Sequence, residues 1–115
     1  MLNVASPREL VKTIGFAHTA ATTAKLPVAI SGKLFIPLNY RGANEHNAFV
    51  YESELDNVPA ATGQAWTPGQ PLHWDAAAGV FTTTATDNTL CGHVLQPKAA
   101  DAAVGPLVAY NAFAA

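Results

Sequence analysis

Apolar residues in this chain alternate with polar ones over short runs, and the runs end at Pro, Gly, Asn or Asp. A period of two marks strands half-buried on a sheet. Ala48–Leu55 (AFVYESEL) shows it most fully, with Phe49, Tyr51, Ser53 and Leu55 directed to one side. Lys25–Ile30, Lys33–Leu38, Pro71–Asp75, Val80–Thr84, Leu90–Gln96 and Leu107–Asn111 read as further strands. Pro27 and Pro37 assign their runs to sheet edges, because proline cannot donate to a ladder. Ser31-Gly32 and Asp87-Asn88 are turns, and the loop after Asp75 ends in Gly79. Asn39–Asn47, Asp56–Gln70 and Pro97–Pro106 read as longer loops. The pattern predicts an all-β fold, a small antiparallel β-barrel or β-sandwich.

The N-terminus is less regular. Met1–Ala5 has no period. Ser6-Pro7-Arg8-Glu9 matches a capping box with Pro at the first helical position, which allows one or two helical turns. Thr13, Ile14 and Gly15 oppose a longer helix. The alternative is a strand from Leu10 to His18, with Leu10, Ile14 and Phe16 on one face. The Ala clusters at 60–61, 76–78 and 99–100 are too short to nucleate helix. The expected organisation is an N-terminal arm over residues 1–9 and a single β domain over residues 10–115.

Composition narrows the function. The 115 residues suffice for one core. Only 12% are charged, against about 25% in ordinary soluble domains. Either Ala, Thr, Asn and Gln make up the surface, or a partner covers much of it. The net charge of −2 supports neither nucleic-acid binding nor attraction to a membrane. Residues 1–41 carry +4 (Arg8, Lys12, Lys25, Lys33 and Arg41 against Glu9). Residues 42–115 carry −6 (Lys98 against Glu45, Glu52, Glu54, Asp56, Asp75, Asp87 and Asp101). This is either chance in a charge-poor chain or a cationic and an acidic face that orient docking. Cys91 is alone and reads as a small buried hydrophobe. No run reaches the ~18 apolar residues of a membrane span, and MLNVASPREL lacks a signal-peptide pattern. Synthesis in a cytoplasm is the expectation.

Chemistry is sparse. His18, His46, His73 and His93 lack zinc-ligand spacing. His73 with Asp75, Cys91 with His93, and Glu52 with Glu54 each share a strand face by strict alternation. On a strand such neighbours are parallel, about 7 Å apart, and do not form a hydrogen-bonded dyad. No GxSxG and no Gly-rich phosphate loop occurs. Trp66 and Trp74 flank the TPGQP loop. They either close the end of the fold or, if exposed, give a ligand- or glycan-binding β-module its stacking platform. No enzymatic activity, cofactor or metal is expected.

The stretch Gly63–Leu95, GQAWTPGQPLHWDAAAGVFTTTATDNTLCGHVL, resembles the signature of the phage capsid cement, or head decoration, proteins of the DUF2190 family. The matching elements are Ala61-Thr62-Gly63, Ala65-Trp66, Gly69, the Leu72–Asp75 strand, Thr82–Thr86 and Asn88-Thr89-Leu90 with Gly92. Leu55–Ala60 resembles the strand end that precedes them. Residues 1–9 and Asn39–Asn47 depart from the pattern. The resemblance implies a structural virion protein that sits as a homotrimer on the outer surface of a phage head. There it would clamp the major capsid protein and stabilise the shell. Arg8, Glu9, Trp66 and Trp74 are the expected contacts with capsid or sister subunits.

Overall fold

The computed structural model describes residues 11–114 together with the backbone of Asn3–Val4. The strands are β1 (Asn3–Val4), β2 (Lys12–Ala17), β3 (Val28–Ile30), β4 (Lys33–Pro37), β5 (His46–Asp56), β6 (Val58–Pro59), β7 (Pro71–Asp75), β8 (Val80–Thr82), β9 (Thr89–Val94), β10 (Val104–Gly105) and β11 (Val108–Asn111). They are paired antiparallel, and no helix occurs among the described residues. The main sheet runs β3-β4-β5-β11-β9-β7-β8, with β1 and β2 also on β5, and it curls into a half-barrel. β6 and β10 form a separate two-stranded ribbon.

β5 organises the molecule because it is long enough to serve two strands on each edge. β2 and β11 both pair at Glu52, so they take opposite edges. β2 and β4 both pair at Phe49 and Val50, which likewise places them on opposite edges. β4 and β11 therefore follow one another along the same edge, and the sheet forks between them. Tyr110 closes the fork. It is 2% exposed, and its hydroxyl is shared between the carbonyl oxygens of Leu34 and Val50, 2.8 Å from the latter. An apolar ring fills the gap while its hydroxyl donates to main-chain carbonyls of both strands, β4 and β5. Burial pushes the Tyr110 phenol up, and the neighbouring Cys91 adds to the shift, so it stays a neutral hydrogen-bond donor.

In-register rows define the faces. Leu55, Val108 and Val94 form one row across β5, β11 and β9, and all are fully buried. They join Leu34, Ile36, Leu72, Trp74 and Phe81 in one core. Burying a side chain of this size contributes about 1.5–3 kcal/mol. The adjacent row, Glu54, Ala109 and His93, points the other way and stays only half-buried.

Pro71–Asp75 is a strand as predicted, and β7, β8 and β9 are neighbours in the sheet. Ser31 and Gly32 both have positive φ (53° and 78°), the two-residue hairpin turn joining β3 to β4. Three expectations change. The Leu10–His18 alternative holds in its core: Lys12–Ala17 is a strand, and no helical turn enters the described residues. The capping box lies outside those residues. His46 and Asn47, read as loop, begin β5, because Asn47 is buried with its polar atoms satisfied. Its amide donates to Thr22 Oγ1 (3.0 Å) and the Asn39 carbonyl (2.9 Å), and its Oδ1 accepts from Ala48 N (2.8 Å). The loops 56–70 and 97–106 are tied to each other by β6 and β10.

Candidate functional site

The two tryptophans, expected as contacts with capsid or sister subunits and, in the alternative, as an exposed platform for a ligand or glycan, lie in the core. Trp66 is 2% and Trp74 4% exposed. Trp74 meets Phe81 edge-on at 5.0 Å, on the inner face of the β7–β8 hairpin. Trp66 is the plug of the end formed by the two long loops. Its backbone pairs with Lys98, and the Lys98 ammonium lies 5.3 Å from its ring centre. A side chain on Gly105 would strike the ring. Lys98 is itself buried. Its ammonium donates to the carbonyls of Ala99 (3.0 Å) and Ala102 (2.9 Å), and burial lowers its pKa against the opposing pull of Asp101. A saccharide cannot stack on rings enclosed in this way, so the glycan-binding alternative loses its platform. The other two expected contacts, Arg8 and Glu9, lie outside the described residues.

The candidate proton-transfer pairs do not converge. Asp75 Oδ1 accepts from the backbone of Ala77 (3.0 Å) and Ala78 (3.1 Å), so it caps the β7–β8 turn and does not orient His73. Partial burial lowers the His73 pKa and keeps its imidazole neutral. Cys91 and His93 do not share a face. The register shifts between Leu72 and His73, so an extra residue of β9 bulges opposite β7. Cys91 consequently enters the core, its thiol 3.4 Å from the Leu72 carbonyl, while His93 faces outward. Burial pushes the Cys91 thiol up, out of the range where a thiolate forms. Among the described residues, no three His, Cys, Asp or Glu side chains are grouped to hold a metal ion.

What the fold does present outward is a groove and an aromatic face. The groove holds about 340 Å³ over β5, β11 and β9. Ala109 and Gly92 line it, with Leu95 and Ala114 beside them and Glu52, Glu54 and His93 around them. Its depth comes from small residues. A Cβ on Gly92 (φ 152°) would collide with the Ala109 carbonyl, which makes that position a glycine. Glu52 sits 3.6 Å from the Lys12 ammonium and accepts from the Asn111 amide at 3.4 Å. Glu52 and Glu54 do share a face, as strand alternation requires.

The aromatic face spans β2, β4 and β5; Phe49 and Phe35 at its centre are buried, and its margin is exposed. Phe16 stacks on Phe49 at 4.2 Å, Phe35 meets both edge-on, and Phe113 meets Phe35 (6.0 Å) and Tyr51 (5.9 Å). Ile14, in register with Phe49, is 48% exposed and Phe113 55%. Sequence periodicity put Phe49 and Tyr51 on one side with Ser53 and Leu55, but between the pairs Lys12–Glu52 and Thr13–Val50 an extra residue of β5 interrupts that alternation. Periodicity could not indicate Phe113, which follows the last strand and folds back across the sheet.

A closed core, an unconvergent set of titratable groups and a charge-poor outer surface with apolar patches define a small all-β structural module. The profile of the phage cement proteins matches residues 4–109, and the chain belongs to that family. It is a capsid-associated structural protein of a bacteriophage, a role that points away from catalysis. No curated protein matches the chain.

Proposed function

We propose that this cement protein binds the outer surface of a phage capsid as a homotrimer, contacts the major capsid protein and stabilises the shell. One observation beyond family membership supports the reading. Ile14, Leu26, Leu38, Tyr40, Leu95, Val104 and Phe113 are all exposed on a surface with few charges. Apolar side chains in such number on a small domain suit a protein whose surface becomes interface. The cementing role needs no cofactor, metal, nucleic acid or membrane. Residues 1–9 serve in this reading as an arm toward the partner, with Arg8 and Glu9 among its contacts. The described part of that arm, the backbone of Asn3–Val4, pairs with Leu55 and Asp56 of β5.

The test is to add purified protein to undecorated heads of its phage. Cryo-EM should show three copies around each occupied three-fold position, and decorated heads should resist heat better than bare ones. Single isolated copies would reject the trimer, and unchanged head stability would reject the cementing role. Deleting residues 2–8 should leave the domain folded and weaken binding to heads. Undiminished decoration would remove the arm from the contact.

A further inference from the structure

Two surfaces of this molecule complement each other. Ile14 and Phe113 belong to the aromatic face and are 48% and 55% exposed, and Leu26, in the turn that meets the end of β4 at Pro37, is 49% exposed. A cation stands at this face. The Lys33 ammonium lies 5.9 Å from the Phe113 ring centre, and Lys25 precedes Leu26. Lys25 is held at φ 62°, a conformation in which a lysine is uncommon. Two backbone bonds fix this corner, from Lys25 N to the Pro37 carbonyl (2.8 Å) and from Leu26 N to the Thr23 carbonyl (3.1 Å). Lys25 and the half-exposed Leu26 are thus held next to each other in one fixed turn. The groove has the opposite border, with Leu95 and Ala109 apolar and Glu52 and Glu54 anionic. The two surfaces adjoin at the C-terminal turn, where Phe113 belongs to the face and Ala114 to the groove.

Neither surface suits a copy of itself, because like charges would meet. Each suits the other. A contact between two different patches of like subunits is head-to-tail, and it closes into a ring when the rotation permits. We propose that the aromatic face of one copy seats in the groove of the next, Lys25 and Lys33 toward Glu52 and Glu54, and that this single repeated contact builds the trimer. The inference rests on the trimeric reading above. Leu26 and Phe113 supply the desolvated anchors, and the charges at the rim fix orientation. Glu52 already meets Lys12 and Asn111, so the incoming lysines join an existing polar network.

Exposed single changes test the contact without threatening the core. Leu26→Ser on the face and Leu95→Ser on the groove, in the full chain, should each weaken self-association at least tenfold with an unchanged melting midpoint. Association is measured by ultracentrifugation in solution and by stoichiometry on heads. Lys25→Glu with Lys33→Glu should dissociate the ring, as should Glu52→Lys with Glu54→Lys. Combining all four should restore it. Wild-type association of both serine variants overturns the proposal, even if a charge-reversed variant does not fold. Folded pairs whose combination restores nothing also overturn it. If the lysine pair still trimerises but leaves heads bare, the face belongs to the capsid and the proposal fails. A wild-type trimer with unaffected variants sinks this contact alone, whereas a wild type that binds as single copies sinks the trimeric reading and this contact together.

Discussion

Trp66 and Phe113 are both large aromatic side chains placed after a strand or loop, yet one is 2% exposed and the other 55%. The difference lies in what the chain folds over them. Around β7, β8 and β9 the long loops return. β6 pairs with β10, Trp66 pairs with Lys98, and Ala60 and Ala61 cap the outer edge of β8. That half is closed by its own chain. Around β2, β3 and β4 the aromatic face is covered only by its own rings, and Phe113, Ile14 and Leu26 stay half in solvent. Both halves contribute buried side chains to the core, and the open half in addition has a margin where a partner can still remove apolar area from water. Substitutions of enclosed and of marginal rings should separate the two roles, with large stability effects for the first and small ones for the second.

The sharpest contrast is Trp74→Ala against Phe113→Ala. Truncating a buried, well-packed Trp costs about 3–5 kcal/mol. Trp74 is 4% exposed against Phe81, so its loss should unfold the domain or lower its urea midpoint by most of its value. Phe113→Ala removes a ring already half in water and should change stability by less than about 1 kcal/mol. Equal losses in the two variants would show that the open margin is part of the core.

Tyr110→Phe probes the joint between the halves, where β4 gives way to β11. The ring volume is kept and only the hydroxyl leaves, so the Leu34 and Val50 carbonyls lose their shared donor. Leaving buried acceptors unsatisfied costs about 1–3 kcal/mol. The expected result is a lower urea midpoint with an unchanged denaturant slope. An unchanged midpoint would mean that water or a shifted strand replaces the hydroxyl.

The sequence revealed the closed half better than the open one, for physical reasons. β7 and the turn at Gly79 were legible because local alternation and turn chemistry suffice there. The pairing of β6 with β10 was not, since two residues each in Pro- and Ala-rich loops carry no period and depend on a partner more than 40 positions away. The burial of Trp66 depends on the same long-range closure. The bulge opposite Leu72 and His73 hid the separation of Cys91 from His93, because one extra residue reverses every face beyond it. Of the surfaces, the shared face of Glu52 and Glu54 was readable from spacing. The aromatic face was not, because Phe113 lies outside any strand and meets Phe35 only in three dimensions.

The smallest expected effect concerns pH and again falls on the closed half. Partial burial holds the His73 pKa below its unfolded value of 6.5. Its neighbours across the strands are Thr82 on β8 and Leu90 on β9, and Asp75, two residues along, is occupied with the turn amides. Between the folded and unfolded pKa values the unfolded chain binds more protons, so stability must rise with pH across that window. The contribution is complete above about pH 6.5 and is lost as the pH falls toward the folded pKa. Urea midpoints at pH 7.5 and 5.5 should therefore differ more in the wild type than in His73→Gln, which cannot titrate. Comparing the two proteins cancels the carboxylates and the other three histidines. An equal pH response in both would show that His73 takes up its proton as readily in the folded sheet as in the open chain.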